Sequence, residues 1–119
     1  MKHMTDKIRR RLRRKIYVRK RISGTAMRPR MSVFKSNRYT YLQVIDDSKG
    51  FTLATASNRE KDLKDIKNNK KDIIKLGQAF GKRLKEKEIT TIVFDRNGYK
   101  YHGLIKEIAD AIRKEGIVF

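Results

Sequence analysis

The sequence predicts an α/β domain built on a four-stranded mixed sheet, with two helices packed on one face and a basic N-terminal tail. Three β-prone segments joined by short turns come first, within residues 30–56. Two segments of helical periodicity then flank a short apolar run, within residues 68–114. The predicted order is therefore strand, strand, strand, helix, strand, helix.

The first three strands are predicted at residues 31–36, 39–45 and 51–56. The middle segment is rich in β-branched and aromatic residues, and Thr40, Leu42 and Val44 share one of its faces by period two. Polar, turn-forming residues fill positions 36–38 and 46–50. Short turns of this kind predict an antiparallel meander.

The helices are predicted at residues 68–87 and 103–114, where apolar residues recur at 3.6-residue spacing. Their buried stripes should consist of Ile73, Leu76, Phe80 and Leu84 in the first helix, and Leu104, Ile105, Ile108, Ala109 and Ile112 in the second. Residues 91–94 between them form a nearly continuous apolar strand. Gly116 ends the second helix, and we expect the apolar residues 117–119 to dock on the domain.

The strand–helix–strand connection predicts a parallel pair and a right-handed crossover. With strand order 3-2-1-4, both helices cover one face and leave the other uncovered. That face is predicted to carry Tyr39, Tyr41 and Gln43, which would make it a platform for RNA. The alternative is that the tyrosines pack in the core and the residues between them face outward.

Positive charge is concentrated near the N-terminus. The 119 residues include 32 Lys and Arg and 13 Asp and Glu, for a net charge of +19. Thirteen of the basic residues lie within the first 30 positions, beside one acid, Asp6. We therefore expect a basic tail at residues 1–29 and a globular domain at residues 30–119.

The tail is expected to be largely disordered by itself, because like charges repel at helical spacing. Ile8, Leu12 and Ile16 form a weak apolar stripe, which could support a helix once phosphates neutralise the arginines. Ser-Gly-Thr-Ala at residues 23–26 has the composition of a flexible joint, and Pro29 favours extended backbone before it.

The charge surplus favours a polyanionic partner. Nucleic acid is the expected one, because a dense phosphate lattice rewards Lys and Arg contacts through counterion release. A membrane surface is the second candidate, but the narrow apolar stripe of the tail permits only shallow insertion. No apolar run approaches the roughly 18 residues of a transmembrane helix, and no apolar segment of a secretory signal follows the basic start. A cytoplasmic protein without a membrane partner or a small-molecule substrate is expected.

No metal or cofactor site is predicted. The chain has no cysteine, which excludes disulfides, thiolate metal sites and Cys nucleophiles. The two histidines, His3 and His102, make a poor metal site without Cys partners. The run Gly-Gln-Ala-Phe-Gly-Lys-Arg at residues 77–83 faintly resembles a phosphate-binding loop, but it is one residue short and lies in mid-helix. Close helix packing is the preferred interpretation.

An enzymatic alternative comes from three carboxylates. Ribonuclease H-like nucleases also begin with a three-strand meander followed by α-β-α, and they hold two metals with clustered acids. Asp46, Asp47 and Asp95 lie near the ends of adjacent predicted strands. However, the first two belong to a turn-forming run, where acids are expected to make local hydrogen bonds. We therefore predict that the protein is not an enzyme.

Several blocks, spread in order over nearly the whole chain, carry a family resemblance. They are Phe-Asp-Arg-Asn-Gly-Tyr-Lys-Tyr-His-Gly at 94–103, the hairpin segments at 28–37 and 41–47, Leu-Ala-Thr-Ala-Ser at 53–57 and Gly-Ile-Val-Phe at 116–119. Together they resemble the L-eighteen family of bacterial large-subunit ribosomal proteins. The resemblance implies a mixed four-stranded sheet, binding to 5S rRNA in the central protuberance, and contacts with 23S rRNA and neighbouring large-subunit ribosomal proteins. Leu104 departs from the family pattern, in which Arg is common.

RNA contacts are predicted in the matching regions. The tail should neutralise phosphates, the hairpin should follow the RNA backbone, and Tyr39 or Tyr41 should stack on a base or touch a ribose. Gly98 should let the loop approach RNA closely. For Tyr99 and Tyr101 the alternative is that they cap the core. The predicted set is Arg9, Arg10, Arg11, Arg13, Arg14, Lys15, Arg19, Lys20, Arg21, Arg28, Arg30, Lys35, Asn37, Arg38, Tyr39, Tyr41, Arg96, Asn97, Gly98, Tyr99, Tyr101 and His102.

Overall fold

The computed structural model describes residues 6–21, 24–25 and 27–119, with the backbone alone for residues 18–21. The elements in chain order are α1 (Asp6–Arg21), β1 (Arg30–Lys35), β2 (Thr40–Asp46), β3 (Phe51–Ser57), a 3-10 turn (Lys61–Leu63), α2 (Ile73–Glu86), β4 (Val93–Asp95) and α3 (Leu104–Lys114). His3, together with Ser23 and Ala26 of the predicted joint, lies outside the described residues.

The four strands form one sheet in the order β3-β2-β1-β4, as predicted. β1 pairs antiparallel with β2, from Arg30 opposite Ile45 to Lys35 opposite Thr40. β2 pairs antiparallel with β3, and β1 pairs in parallel with β4 through Val93–Asp95. The short antiparallel turns and the helical crossover before β4 therefore give the mixed sheet that the element order predicted.

The core lies between one face of the sheet and helices α2 and α3. The sheet contributes Met31, Val33, Leu42, Val44, Ala54 and Ala56, and the helices contribute Ile73, Leu76, Phe80, Leu84, Ile105, Ile108 and Ile112. Leu104 also packs against this core. Thr40 is fully buried on the same side as Leu42 and Val44. The alternative in which Tyr39 and Tyr41 occupy the core is therefore wrong.

Helix α2 begins at Ile73, five residues later than predicted, because two asparagines hold the preceding segment in turns. Asn68 donates to the Ser36 carbonyl at 2.9 Å and accepts from the Thr40 hydroxyl at 2.8 Å, which ties it to the β1–β2 hairpin. Asn69 accepts from the Asp72 amide at 2.8 Å. Such side-chain bonds to the backbone compete with helix formation.

The glycines of the run at residues 77–83 serve helix packing, as preferred from the sequence. A Cβ built on Gly77 would lie 2.8 Å from the Ala111 Cβ, and one on Gly81 would lie 2.8 Å from the Glu115 side chain. Only glycine permits this close approach of α2 to α3 without displacement.

Strand β4 begins two residues later and ends one residue later than the predicted 91–94, because the C-terminal residues pair with the start of that run. Thr91 and Val118 form a parallel bridge, and the Ile92 amide donates to the Val118 carbonyl at 3.1 Å. Ile117 is 3% exposed. The predicted docking of residues 117–119 is confirmed.

Candidate nucleic-acid interface

The arginine-rich helix α1 is docked on the loop between β4 and α3. Arg14 Nε donates to the Gly98 carbonyl at 2.9 Å. Arg11 lies over the Tyr99 ring, 4.8 Å from its centre, and its guanidinium donates to the Tyr99 hydroxyl at 3.3 Å. The most basic segment of the chain is thus attached to the folded domain, through residues 84 to 88 positions away in the sequence.

Several cationic side chains in the described part of α1 are open to solvent. The helix contains ten Lys or Arg residues and one acid, Asp6. Arg9, Arg10 and Arg13 are exposed, and Lys15 is half-buried. The predicted contacts of Arg19, Lys20 and Arg21 lie outside the described side chains. The described part of the helix therefore presents exposed guanidinium groups, with Asp6 as its one acid.

The sheet face opposite the helices carries an aromatic and basic cluster. Phe34 is 47% exposed, and its ring centre lies 6.1 Å from that of Tyr41. Arg59 donates to the Tyr41 hydroxyl at 3.1 Å, and its guanidinium lies 5.0 Å from the centre of the Tyr39 ring. Gln43 is half-buried beside Tyr41 on the same face. This cluster presents three rings and a cation on one surface.

Arg59 was missed from the sequence because it follows β3 in a polar, charged segment that resembles an ordinary loop. The antiparallel register of β2 and β3 is the feature that could have identified Arg59. Tyr41 pairs with Ser57, so a residue two positions beyond Ser57 lies near the residue two positions before Tyr41. That residue is Tyr39.

The tip of the β1–β2 hairpin exposes polar side chains. The Ser36 amide donates to the Tyr39 carbonyl at 2.8 Å and closes the turn, which leaves Asn37 and Arg38 exposed. Lys35 is half-buried, with Nζ 5.8 Å from the centre of the Tyr99 ring. Arg28 is exposed just before β1.

The loop between β4 and α3 is largely occupied by internal contacts. The amide of the buried Asn97 donates to Asp95 Oδ1 at 2.8 Å. Tyr99 packs against the core, and its hydroxyl donates to the Lys35 carbonyl at 3.1 Å and accepts from the Lys35 amide at 3.3 Å. The Lys35 amide and carbonyl lie on β1 beyond the residues that pair with β4. The Tyr99 hydroxyl therefore satisfies backbone groups at that part of the strand edge. Arg96 is half-buried in the same loop.

Tyr101 and His102 are exposed just before α3. The Tyr101 ring meets Phe94 edge-on, with the ring centres 6.0 Å apart. Its hydroxyl accepts from Arg113 at 2.8 Å. Tyr101 therefore covers the end of β4 while keeping 38% of its surface exposed.

Arg30 is buried and bonded within the protein. Its guanidinium makes two bonds to Asp47, at 2.9 and 3.1 Å, and one to Asp95 at 2.9 Å. Burial lowers the pKa of Arg30, but the hydrogen bonds and charges of the two carboxylates outweigh it and raise the pKa. Asp47 also accepts from the Gly24 amide at 2.7 Å. This ion pair joins the segment before β1 to the sheet.

The three carboxylates of the nuclease alternative do not face a common site. Asp46 accepts from the Ser48 amide at 3.0 Å and from its hydroxyl at 2.5 Å, which is the local turn bonding expected from the sequence. Asp47 and Asp95 are both paired with Arg30. In the described part of the chain, no three His, Cys, Asp or Glu side chains form a group that could hold a metal ion. No described helix has the length and apolar composition to cross a bilayer.

The comparison with known families covers α1, the sheet and the two core helices. A family model described as "Ribosomal L18 of archaea, bacteria, mitoch. and chloroplast" matches residues 5–119. The chain belongs to this family. Since the L18 family comprises structural ribosomal proteins, the chain is not an enzyme, and the nuclease alternative is wrong.

Relatives in the L18 family match the chain from end to end. The large ribosomal subunit protein uL18 of Treponema denticola is 54% identical over 118 residues, which cover 99% of this chain and 98% of that protein. The protein of the same name from Bacteroides thetaiotaomicron is 53% identical over 116 residues, which cover 98% and 100%. That from Borreliella burgdorferi (strain B31) is 53% identical over 118 residues, which cover 98% of each.

Proposed function

We propose that this chain is a structural component of the large ribosomal subunit that binds 5S rRNA and helps attach it to 23S rRNA in the central protuberance. Its place there would bring it beside neighbouring large-subunit proteins of the cytoplasmic ribosome. Membership of the L18 family and the name shared by its relatives support this proposal. This role does not require the protein to act on a small-molecule substrate.

The observation that carries the proposal is the docked helix α1. A disordered basic tail binds any polyanion, whereas a helix fixed to the domain presents its arginines at set distances from the hairpin and the sheet. Fixed spacing lets the protein match the shape of one RNA as well as its charge, because phosphate contacts set register and orientation. Arg9, Arg10 and Arg13 are the exposed members best placed for such contacts.

The sheet face supplies the second kind of contact. Unpaired RNA bases stack on aromatic side chains and on guanidinium planes. Tyr39, Tyr41 and Arg59 together offer both. Arg28, Lys35, Asn37 and Arg38 would follow the RNA backbone at the hairpin. Tyr101 and His102, exposed just before α3, would add further contacts. Arg30, Asn97 and Tyr99 are left out of this set, because their contacts lie within the protein.

Binding of the full chain to 5S rRNA and to a tRNA of similar size, across a range of salt concentrations, tests the proposal. We expect a preference for 5S rRNA that persists near physiological salt. Equal binding to both RNAs, collapsing as salt rises, would reject it in favour of a general nucleic-acid chaperone.

A pair of charge-matched variants locates the surface. Replacing Arg9, Arg10 and Arg13 by Gln should make the slope of log K against log salt shallower by roughly 0.7–0.9 per lost phosphate contact. Replacing the exposed Lys82, Lys106 and Lys114 of the helical layer by Gln removes the same charge and should change the slope far less. Equal slopes for the two variants would mean that α1 has no special place in binding.

A further inference from the structure

Gly98 lies directly beneath the backbone of α1. A Cβ built on it would lie 2.3 Å from the Arg11 carbonyl oxygen and 3.1 Å from the Lys15 Cβ. Real Cβ atoms essentially never approach another heavy atom to within 3.0 Å, and the closest neighbour here is backbone that cannot swing aside. The glycine therefore leaves the space in which α1 sits.

The polar contacts of α1 converge on the same point. Arg14 Nε bonds the Gly98 carbonyl itself, and Arg11 covers the ring of the next residue, Tyr99. Arg11 Nε is buried and has no hydrogen-bond partner among the described residues, so the ring face and the Tyr99 hydroxyl bond hold this side chain. Any displacement of the helix from Gly98 breaks these contacts together.

Docking creates a basic groove that neither part forms alone. The groove has a volume of about 430 Å³ and is lined by Arg13, Arg14, Ile16 and Tyr17 of α1 and by Arg96 of the loop. Three of its five lining residues are arginines, and none is acidic. Ile16 and Tyr17 add an apolar wall that is more than half exposed. Planar guanidinium groups around one recess suit the paired oxygens of a phosphodiester.

We propose that Gly98 is a positioning residue for RNA binding, since it seats α1 so that Arg13, Arg14 and Arg96 surround one groove that binds the phosphodiester backbone of rRNA. The inference rests on the proposed function and adds the site through which the helix and the loop act together. The sequence predicted that Gly98 would let RNA approach the loop closely. In the structure, the backbone of α1 occupies the space next to this glycine.

The test compares Gly98→Ala with Gly50→Ala in the full chain. Both glycines have positive φ, +78° and +69°, so the substitutions carry similar backbone strain, but a Cβ at Gly50 meets nothing within 4 Å. Gly98→Ala should speed hydrogen exchange in α1 and weaken binding to 5S rRNA. It should also make the slope of log K against log salt shallower by roughly 0.7–0.9 for each lost phosphate contact, and we expect about two or more contacts to be lost. Gly50→Ala should leave all three as in the parent.

Coupling to Arg96 separates a groove from general loosening. Arg96→Gln should weaken RNA binding in the parent and have a much smaller effect in the Gly98→Ala background, because the groove is already open there. Equal effects in the two backgrounds would overturn the inference. If Gly98→Ala does not fold, Arg11→Lys replaces it, since Arg11 does not line the groove and this change keeps the charge while removing the guanidinium that donates to the Tyr99 hydroxyl.

The two proposals fail in different ways. Preference of the parent for 5S rRNA, with unchanged affinity and slope in Gly98→Ala, leaves the function standing and rejects the role of Gly98. Equal binding of the parent to 5S rRNA and tRNA rejects the function. In that case the salt slope of Gly98→Ala and its coupling with Arg96→Gln are measured on tRNA. They still decide for or against the groove, because phosphate contacts do not depend on sequence.

Discussion

Arg30 and its two carboxylates form a buried ionic cluster at the start of β1. The side chain of Arg30 is 6% exposed, and those of Asp95 and Asp47 are 0% and 21% exposed. A bidentate bond to Asp47 and a bond to Asp95 use the planar fork of the guanidinium, which Lys cannot reproduce. An ion pair of this kind is costly to break from one side, because the remaining charge is left in a medium of low polarity.

Arg30→Met should therefore lower the free energy of unfolding by about 3–5 kcal/mol, since the buried Asp95 carboxylate would lose the compensating charge of Arg30. Denaturant unfolding of the parent and the variant gives the value. Adding Asp95→Asn to Arg30→Met should recover part of the loss. Arg28→Met, at an exposed position two residues earlier, should stay within about 0.5 kcal/mol of the parent. If Arg30→Met lowered the free energy of unfolding no more than Arg28→Met does, Arg30 would have no structural role.

The free edge of β3 shows how one element protects another. Lys87 donates to the Leu53 carbonyl at 2.6 Å, Arg83 donates to the Thr55 carbonyl at 2.8 Å, and Glu60 accepts from the Ser57 amide at 2.7 Å. Arg83 also bonds Glu60 at 2.9 Å, and this bond lowers the pKa of the Glu60 carboxyl. Side chains thus occupy backbone groups that an unprotected edge would offer to another strand.

Helices α2 and α3 meet through a glycine contact that sets their separation. Gly77→Ala adds about 1 kcal/mol of helix propensity, but its Cβ would lie 2.8 Å from the Ala111 Cβ and 3.1 Å from the Ile108 carbonyl oxygen. Overpacking of this kind costs about 1–3 kcal/mol, so we expect a net loss of stability in denaturant unfolding.

The pair Gly77→Ala and Ala111→Gly should recover stability relative to the sum of the single changes, with a coupling of about 0.5–3 kcal/mol. Substituting the exposed Gln78 by Gly and by Ala measures helix propensity at a neighbouring position without the contact. The free energy of unfolding gained by Gly77→Ala could equal the difference between the Ala and Gly variants at position 78. That result would mean that the glycine does not set the distance between the helices.

At the scale of the whole molecule, charge and apolar surface are divided between two parts of the chain. Within the described ranges, the buried core residues all lie at or beyond Met31, whereas α1 contributes exposed cations. The net charge of +19 opposes compaction until an anionic partner neutralises it. Among the described residues, Gly24 and the loop at Gly98 supply contacts that link the two parts.

A chain lacking residues 1–22 should therefore still unfold cooperatively, because the core and the Gly24 contact with Asp47 remain. Its affinity for 5S rRNA should fall, and the salt dependence of binding should flatten, because the phosphate contacts of α1 are gone. Thermal unfolding followed by circular dichroism, together with the binding series, measures both. Loss of the cooperative transition would show that α1 is part of the folding unit.

The sequence by itself determined the architecture, because alternation and helical periodicity depend on which local positions are apolar. The period-two pattern placed Thr40, Leu42 and Val44 on one face of β2, and the stripes from Ile73 and from Leu104 set the helices. That this face of β2 is the core face was decided by the structure, in which all three side chains are buried. Short turns and a helical crossover left few topologies, so the strand order followed. The concentration of charge before residue 30 was equally visible and indicated a polyanionic partner.

Only the tertiary structure decided what individual basic and aromatic residues do. Arg30 and Arg13 look alike in the sequence, yet one is buried between Asp47 and Asp95 and the other is exposed beside Arg96. Tyr99 belongs to a strand edge, and Gly98 supports a helix from the opposite end of the chain. The physical reason is that periodicity is a property of neighbouring residues, whereas charge pairing, burial and close approach depend on partners brought together by folding.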